Sequence, residues 1–256
     1  LATGCTVVLK PSEDAPLTPL MIAKLMQEAG VPDGVVNVVT GTGREAGARL
    51  AEHPDVNKVV FTGSTATGKT IARAGVENLK RITLELGGKS PLIICKDADI
   101  DKAVPVAAMA VYAHSGQICI AGSRLFVARE IQDEVIEKLA AFARGLKIGH
   151  GLDEGTDLGP LINRVQAEKV EGYIAAGKAE GARLVTGGPG KTETCQRGYF
   201  VRPTIFAAVT PTAAALCGVG RRPAAPAAAR TPPSPPAPRS PLMSGDAARV
   251  HVSRSG

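Results

Sequence analysis

The first 86 residues alternate between short apolar runs rich in β-branched side chains and longer segments with helical periodicity. The runs are typical of buried strands, and the first helical segment ends at a stop signal, Gly30. Because parallel strands need crossovers long enough to hold a helix, the alternation predicts an α/β fold, a parallel sheet with helices on both faces. Strands are expected at residues 6–10, 35–39, 58–62 and 82–86, and helices at 16–29, before His53 and after Gly68.

The same alternation continues in the second half of the chain. A helix is expected at residues 100–113 despite Pro105, and Gly177 is the expected stop of a later helix at residues 165–176. The remaining elements predicted here are strands at 90–95, 125–127, 181–190 and 198–205, and an amphipathic helix at 130–144.

From about residue 208 the composition changes. Residues 208–256 hold nine of the 19 prolines and no Phe, Tyr or Trp. A segment of this kind cannot bury enough apolar surface to offset its chain entropy, so a disordered tail rich in Pro and Ala is expected over residues 207–256. Both a frameshift in GC-rich DNA and a genuine proline-rich linker would explain it.

The net charge of +6 arises almost entirely in that tail. From residue 208 onward there are six arginines, no lysine and one acid, Asp246, which leaves +1 for the rest of the chain. A basic tail is weak support for nucleic-acid binding, which needs a basic face on a folded domain. The chain has no apolar run of membrane-spanning length, and its five cysteines show no metal-ligand spacing. We therefore expect no nucleic acid, no membrane, no metal and a reducing, cytoplasmic location.

Two stretches carry candidate catalytic residues. Cys119 follows an apolar helical run and lies among glycines and other small residues, which leave a thiol accessible, whereas Cys5 and Cys95 adjoin or lie in strands and are expected to be protected. Glu85 lies 34 residues upstream, at the end of a strand-like run and just before a Gly-Gly pair. Either residue alone has an ordinary interpretation, a buried cysteine or a carboxylate that caps a turn, and the presence of both stretches makes a functional role more plausible.

In this order and at this spacing, the two stretches resemble the active-site signatures of the NAD(P)-dependent aldehyde dehydrogenases, over about residues 1–206. The resemblance implies oxidation of an aldehyde to a carboxylic acid, with Cys119 as nucleophile through a thiohemiacetal and a thioester, and Glu85 as general base. It also implies a partial Rossmann-like NAD-binding domain at residues 1–87 and a partial α/β catalytic domain at 88–206. Full-length relatives are expected to be homo-oligomers, and the aldehyde cannot be named from these residues.

The resemblance also assigns the cofactor, NAD with NADP as an alternative. Lys10 and Glu13 would hydrogen-bond the adenine ribose, and a carboxylate there repels a 2′-phosphate, which favours NAD. Because an oxyanion-binding Asn of the family is absent upstream and a Glu-Phe segment is replaced by the tail, we expect a fragment with impaired activity. The cofactor-binding residues implied are Lys10, Glu13, Gly43, Gly63, Ser64, Gly68 and Leu86.

Two other functions stay open. Residues 63–70 fit the P-loop pattern G-x-x-x-x-G-K-[ST], with Asp97 or Asp99 as the acid that would bind Mg²⁺. The chain is also compatible with a catalytically dead fragment that serves as a binding or assembly partner. His114, close to Cys119, is more plausible as a structural residue than as its base.

Overall fold

The computed structural model describes residues 1–190, 195, 197–209 and the backbone of 247–252. The chain divides into two compact units, Leu1–Gly87 and Gly88–Gly256. Each unit is described by itself below.

The Leu1–Gly87 unit has the expected alternation of strands and helices. Strand β1 pairs with β2, and β3 pairs with β4, both in parallel. The pattern did not predict which strands become neighbours, and the described ladders are two separate pairs rather than one continuous sheet. The elements are β1 (Val7–Leu9), α1 (Leu17–Glu28), β2 (Val36–Val38), a π-helical turn (Gly43–Gly47), α2 (Ala48–Glu52), β3 (Lys58–Gly63), α3 (Thr65–Ala74) and β4 (Arg81–Leu86).

The expectation that the first strand is buried is wrong. The exposed fractions of Val7, Val8 and Leu9 are 37%, 47% and 41%. A pair of strands has two open faces and two open edges, so it buries little apolar surface by itself. The β-branched composition of this run therefore predicted its conformation but not its burial.

The Gly88–Gly256 unit contains a five-stranded mixed sheet in the order β5-β6-β9-β8-β7. Strands β5 and β6 are parallel, and the other pairs are antiparallel. Its main core includes Ala108 and Val111 of α4, Val127 of β6, and Val135 and Leu139 of α5. The elements are β5 (Pro91–Ile94), α4 (Ile100–Tyr112), a 3₁₀ turn (Ala113–Gly116), β6 (Arg124–Ala128), a second 3₁₀ turn (Arg129–Ile131), α5 (Gln132–Gly145), α6 (Arg164–Ala179), β7 (Arg183–Thr186), β8 (Ile205–Ala207) and β9 (Ala247–Val252).

Two predictions near the end of the chain need correction. The strand expected at 198–205 is confined to β8, which begins at Ile205. Within the tail expected to be disordered, Ala247–Val252 forms β9, whose backbone pairs with β6 on one side and β8 on the other. Backbone pairing between two strands does not depend on the apolar content of the inserted segment, which is why composition missed it. Residues 210–246 and 253–256 of that tail lie outside the described residues.

The expected stop of α6 at Gly177 is also wrong. The helix ends at Ala179, and Gly181, two residues beyond it, has a φ of +79°. The N–H of Gly181 donates to the carbonyl of Lys178, and the N–H of Ala182 donates to that of Gly177. This is a Schellman motif, which requires a left-handed residue just after the helix.

Gly177 instead has a packing role. A Cβ at this position would lie 3.1 Å from two ring atoms of Phe206, which is completely buried. We expect Gly177→Ala to lower the free energy of unfolding by about 1 kcal/mol, because overpacking of a closed core outweighs the gain in helix propensity.

The matched control lies in the same helix. Gly172 is exposed, and a Cβ added to it would have no other atom within 4 Å. Gly172→Ala is expected to raise the free energy of unfolding by about 0.5–1 kcal/mol. Urea denaturation measures the free energy of unfolding of both variants. Equal changes in the two variants would contradict the packing role of Gly177.

Candidate active site

Cys119 lies on an exposed turn between α4 and β6. The N–H of Ala121 donates to the carbonyl of Ile118 (3.2 Å), which closes a four-residue turn with Cys119 as its second residue. On the C-terminal side, the N–H of Gly122 donates to the carbonyl of Ala110 in α4 (2.9 Å). A Cβ on Gly122 would lie 3.3 Å from Leu92, so this glycine lets the turn lie close to β5.

The residues before the turn have an unusual backbone conformation. His114, Ser115 and Gly116 have φ values of +51°, +57° and +76°, three left-handed residues in succession. A left-handed residue with a side chain costs about 1–2 kcal/mol, so His114 and Ser115 need compensating contacts. A positive φ at a non-glycine residue is often found at functional sites.

Two side chains supply such contacts. The hydroxyl of Ser115 donates to the carbonyl of Gly159 (2.8 Å). The amide of Gln117 donates to the carbonyl of His114 (3.2 Å), and its oxygen accepts from the N–H of Ile162 (2.9 Å). Sequence reasoning missed Ser115 and Gln117, because their partners lie 44 and 45 residues away and no local pattern marks such contacts.

Two buried hydroxyls flank the same region. Tyr112 ends α4 and Ser123 precedes β6, and their oxygens have no hydrogen-bond partner within the described part of the chain. Burial raises the pKa of Tyr112 well above its ordinary value. The phenol therefore stays protonated at physiological pH.

Exposure does not distinguish Cys119 from the other cysteines. Cys5 and Cys95 were expected to be protected because they adjoin or lie in strands, and that expectation is wrong. Both are exposed: Cys5 precedes β1, and Cys95 follows the last residue of β5. Cys195 is partly exposed, whereas Cys217 lies outside the described residues. What sets Cys119 apart is therefore a turn anchored at both ends.

In the other unit, three of the predicted cofactor residues lie together. The carboxylate of Glu13 accepts from the N–H of Gly43 and pairs with the amine of Lys10 at 3.5 Å. The Lys10 amine also donates to the carbonyls of Pro11 (2.6 Å) and Gly41 (3.1 Å). These contacts tie the turn after β1 to the turn after β2.

The pKa of the Glu13 carboxyl is lowered from its ordinary value. Hydrogen bonds from its own backbone N–H and from that of Gly43, helped by the charge of Lys10, lower its pKa. Because the pKa is lowered in the folded state, the contacts of Glu13 with Gly43 and Lys10 stabilise the fold at pH values above the ordinary carboxyl pKa. This contribution is lost as the pH falls through the lowered pKa.

The connection between β3 and α3 does not have P-loop geometry. The strand ends at Gly63, Ser64 caps the helix by accepting from the N–H of Thr67 (3.1 Å), and α3 begins at Thr65. One residue separates strand from helix, so no loop remains to wrap a phosphate chain, and Gly68 lies within the helix. A Cβ on Gly68 would lie 2.7 Å from Leu86, so this glycine allows close packing of α3 on β4.

Glu85 has an exposed side chain near the carboxyl end of β4. It is in register with Thr62 of β3, and Leu86 is in register with Gly63. Ligands of open α/β sheets bind beyond the carboxyl ends of the strands, and Glu85 lies at that end. Glu85 belongs to the Leu1–Gly87 unit and Cys119 to the Gly88–Gly256 unit, so their cooperation stays a prediction.

Neither a metal centre nor a membrane span is found among the residues that the structure describes. No group of three or more His, Cys, Asp or Glu side chains there could hold a metal ion. None of the described helices is long and apolar enough to cross a membrane.

Comparison with known proteins identifies the family. The sequence profile of the aldehyde dehydrogenase family matches residues 1–217. The chain belongs to the aldehyde dehydrogenase family. Its relatives include the mitochondrial aldehyde dehydrogenase of Homo sapiens, to which it is 51% identical over 207 residues, 80% of this chain and 40% of the relative.

Solved structures of aldehyde dehydrogenases have the same fold. One is a cysteine-to-alanine mutant of aldehyde dehydrogenase C from Pseudomonas syringae, in complex with NAD⁺ and octanal. Its TM-score to this chain is 0.81 at 44% sequence identity, and the match covers 83% of this chain and 44% of the Pseudomonas chain. The NAD⁺ complex of a Bacillus cereus aldehyde dehydrogenase gives 0.80 at 49% identity, over 83% and 43% of the two chains.

The comparisons confirm the predicted family and the α/β fold. This aldehyde dehydrogenase chain spans about two fifths of the length of the curated relatives it matches. The family match ends at residue 217, a little beyond the limit of about 206 expected from the sequence.

Proposed function

We propose that this chain carries the nucleophile, the general base and the cofactor contacts for oxidation of an aldehyde to a carboxylic acid with NAD⁺. The observation that carries the proposal is Cys119, placed on an exposed turn with anchors on both sides in a member of the aldehyde dehydrogenase family. A thiol in such a place is accessible to a small carbonyl compound.

Cys119 begins the reaction and Glu85 ends it. The thiolate sulfur of Cys119 bonds to the aldehyde carbon, and the backbone N–H of Cys119 stabilises the negative oxygen that forms. NAD⁺ held by the Leu1–Gly87 unit would supply the hydride acceptor, and loss of the hydride from this carbon leaves a thioester on Cys119. Glu85 then takes a proton from water, the water oxygen bonds to the thioester carbon, and Cys119 leaves as a thiolate.

The Leu1–Gly87 unit fits a dinucleotide. The N-terminus of α3 presents backbone N–H groups and the positive end of the helix dipole, the features that bind a pyrophosphate. Gly63, Ser64, Gly68 and Leu86 would shape this site. Glu13 contacts both Lys10 and Gly43. Lys10 and Glu13 would hold the adenine ribose, Gly43 would lie against the adenine, and the Glu13 carboxylate would disfavour a 2′-phosphate.

The first test is NADH formation with aliphatic and aromatic aldehydes, including octanal. It uses this chain and a completed chain, in which the remaining segments of the human relative are joined to it. We expect aldehyde-dependent NADH formation by the completed chain, followed by absorbance. If the completed chain forms no NADH with any of these aldehydes, the proposal is overturned.

The second test distinguishes the dinucleotide from a nucleoside triphosphate by calorimetric titration. We expect NAD⁺ to bind more tightly than NADP⁺, and Mg-ATP to bind weakly, because the strand-to-helix connection is too short for a P-loop. Lys69 is exposed on α3, and Lys69→Ala serves as the control. Tight Mg-ATP binding that this substitution abolishes, with none for NAD⁺, would reverse the assignment.

A further inference from the structure

The turn that carries Cys119 depends on contacts outside itself. Three left-handed residues precede it, and residues in this sparsely populated region persist only where surrounding contacts hold them. The hydroxyl of Ser115 holds one of these residues against Gly159. The residue that directly follows them, Gln117, makes two side-chain contacts, one through its NH₂ group and one through its oxygen.

Each end of the Gln117 amide has a different task. The NH₂ group donates to the carbonyl of His114, which also accepts from the backbone N–H of Gln117 (3.2 Å), so the side chain adds a second bond to the left-handed segment. The oxygen accepts from the N–H of Ile162 and holds the turn against residues 159–162. The two partners fix the orientation of the amide, since a carbonyl can only accept and an N–H can only donate.

Residues 159–162 are themselves firmly held. The N–H of Leu161 donates to the carbonyl of Tyr199 (2.9 Å), and the Leu161 side chain is 5% exposed in the core cluster with Ile174 and Phe206. The contact of Gln117 therefore joins the turn to a fixed point of the unit. Two bonds from one side chain connect the left-handed segment, the turn and this core.

We propose that Gln117 is a positioning residue, which holds the Cys119 turn in the geometry that acyl transfer requires. The inference rests on the proposed function in that Cys119 is the nucleophile. Gln117 acts through the backbone and does not touch the substrate. A displacement of about 1 Å at a reacting group can cost on the order of 10² in rate. Loss of the two hydrogen bonds of the Gln117 side chain is therefore expected to slow the reaction of Cys119 measurably.

The test compares two reactions of the Cys119 thiol in this chain. With p-nitrophenyl acetate, the Cys119 sulfur bonds to the acetyl carbon and p-nitrophenolate leaves, a reaction that develops negative charge on the carbonyl oxygen. With iodoacetamide, the sulfur displaces iodide, and no charged oxygen needs a fixed donor. Mass spectrometry of the modified peptides gives both rates at Cys119 by itself.

We expect Gln117→Leu to slow acetylation of Cys119 about 10-fold to 100-fold and to change its alkylation by less than about threefold. Gln117→Glu keeps an oxygen for Ile162 and loses the donor to His114, so its acetylation rate is expected to lie between those of the wild type and of Gln117→Leu. This variant provides the test if Gln117→Leu does not fold. Gln132→Leu, at the first residue of α5, is the matched control and is expected to change neither rate.

Three results would count against the proposal. Normal acetylation that neither Gln117 variant alters overturns the positioning role by itself. An equal fall of both rates together with loss of the thermal transition shows a general structural role and overturns it as well. Absence of acetylation at wild-type Cys119 overturns the nucleophile assignment of the proposed function, and the positioning role with it.

Discussion

Cys119→Ala is expected to reduce aldehyde-dependent NADH formation by the completed chain about 10³-fold or more, to the level of the background. The hydride leaves a carbon that is bonded to the Cys119 sulfur, so no other residue of the chain offers an equivalent route. Removal of a covalent nucleophile typically has an effect of this size or larger. Absorbance of NADH measures turnover, and calorimetric titration with NAD⁺ shows whether the cofactor still binds.

The matched control is Cys95→Ala, because Cys95 is exposed like Cys119 but lies just after β5 rather than on the anchored turn. We expect it to retain turnover within about twofold, the range of an ordinary surface substitution. Turnover that survives Cys119→Ala would contradict the mechanism. Equal losses in both variants would show that the effect is not specific to the turn.

Glu85→Gln is expected to slow steady-state turnover of the completed chain about 10²-fold to 10⁴-fold while leaving one rapid turnover intact. The base is needed only when water attacks the thioester, so hydride transfer proceeds once and the acyl group stays on Cys119. Stopped-flow absorbance should show a burst of about one NADH per active site, followed by a slow phase. Intact mass measured during the slow phase should show the acyl group.

Glu77→Gln is the matched control, since Glu77 is an exposed carboxylate of the same unit in the connection between α3 and β4. It should leave both the burst and the steady state unchanged. Loss of the burst in Glu85→Gln would place Glu85 before hydride transfer, as the group that deprotonates Cys119. Unchanged steady-state turnover would exclude Glu85 as the base.

The parts of the site that the sequence revealed are those that depend on local order along the chain. The pattern after β3 predicted a strand, a turn and a helix, and Ser64 is found as the cap of α3. The same pattern also fitted a P-loop, and only the length of the connection between Gly63 and Thr65 separates the two structures. A motif constrains which residues are present, whereas the folded backbone decides which N–H groups face a ligand.

Long-range packing accounts for what the sequence did not reveal. Gly177 was interpreted as a helix stop because glycine is common there, but the helix continues past it and Gly177 packs closely on Phe206, 29 positions away. Cys5 and Cys95 were expected to be protected because they adjoin strands, yet the surroundings of these strands leave them exposed. Burial is a property of what packs on an element, and residue type predicts it only on average.

The sequence by itself determined the order and type of most elements, the family, and Cys119 and Glu85 as candidate catalytic residues. It did so because strand and helix periodicity, caps and glycine turns are set by neighbours within a few positions. Only the tertiary structure decided the pairing of β1 with β2 and of β3 with β4, the insertion of β9 between β6 and β8, and the anchoring of the Cys119 turn through Ser115 and Gln117. These features join residues that are far apart along the chain, and such contacts form only when the chain folds as a whole.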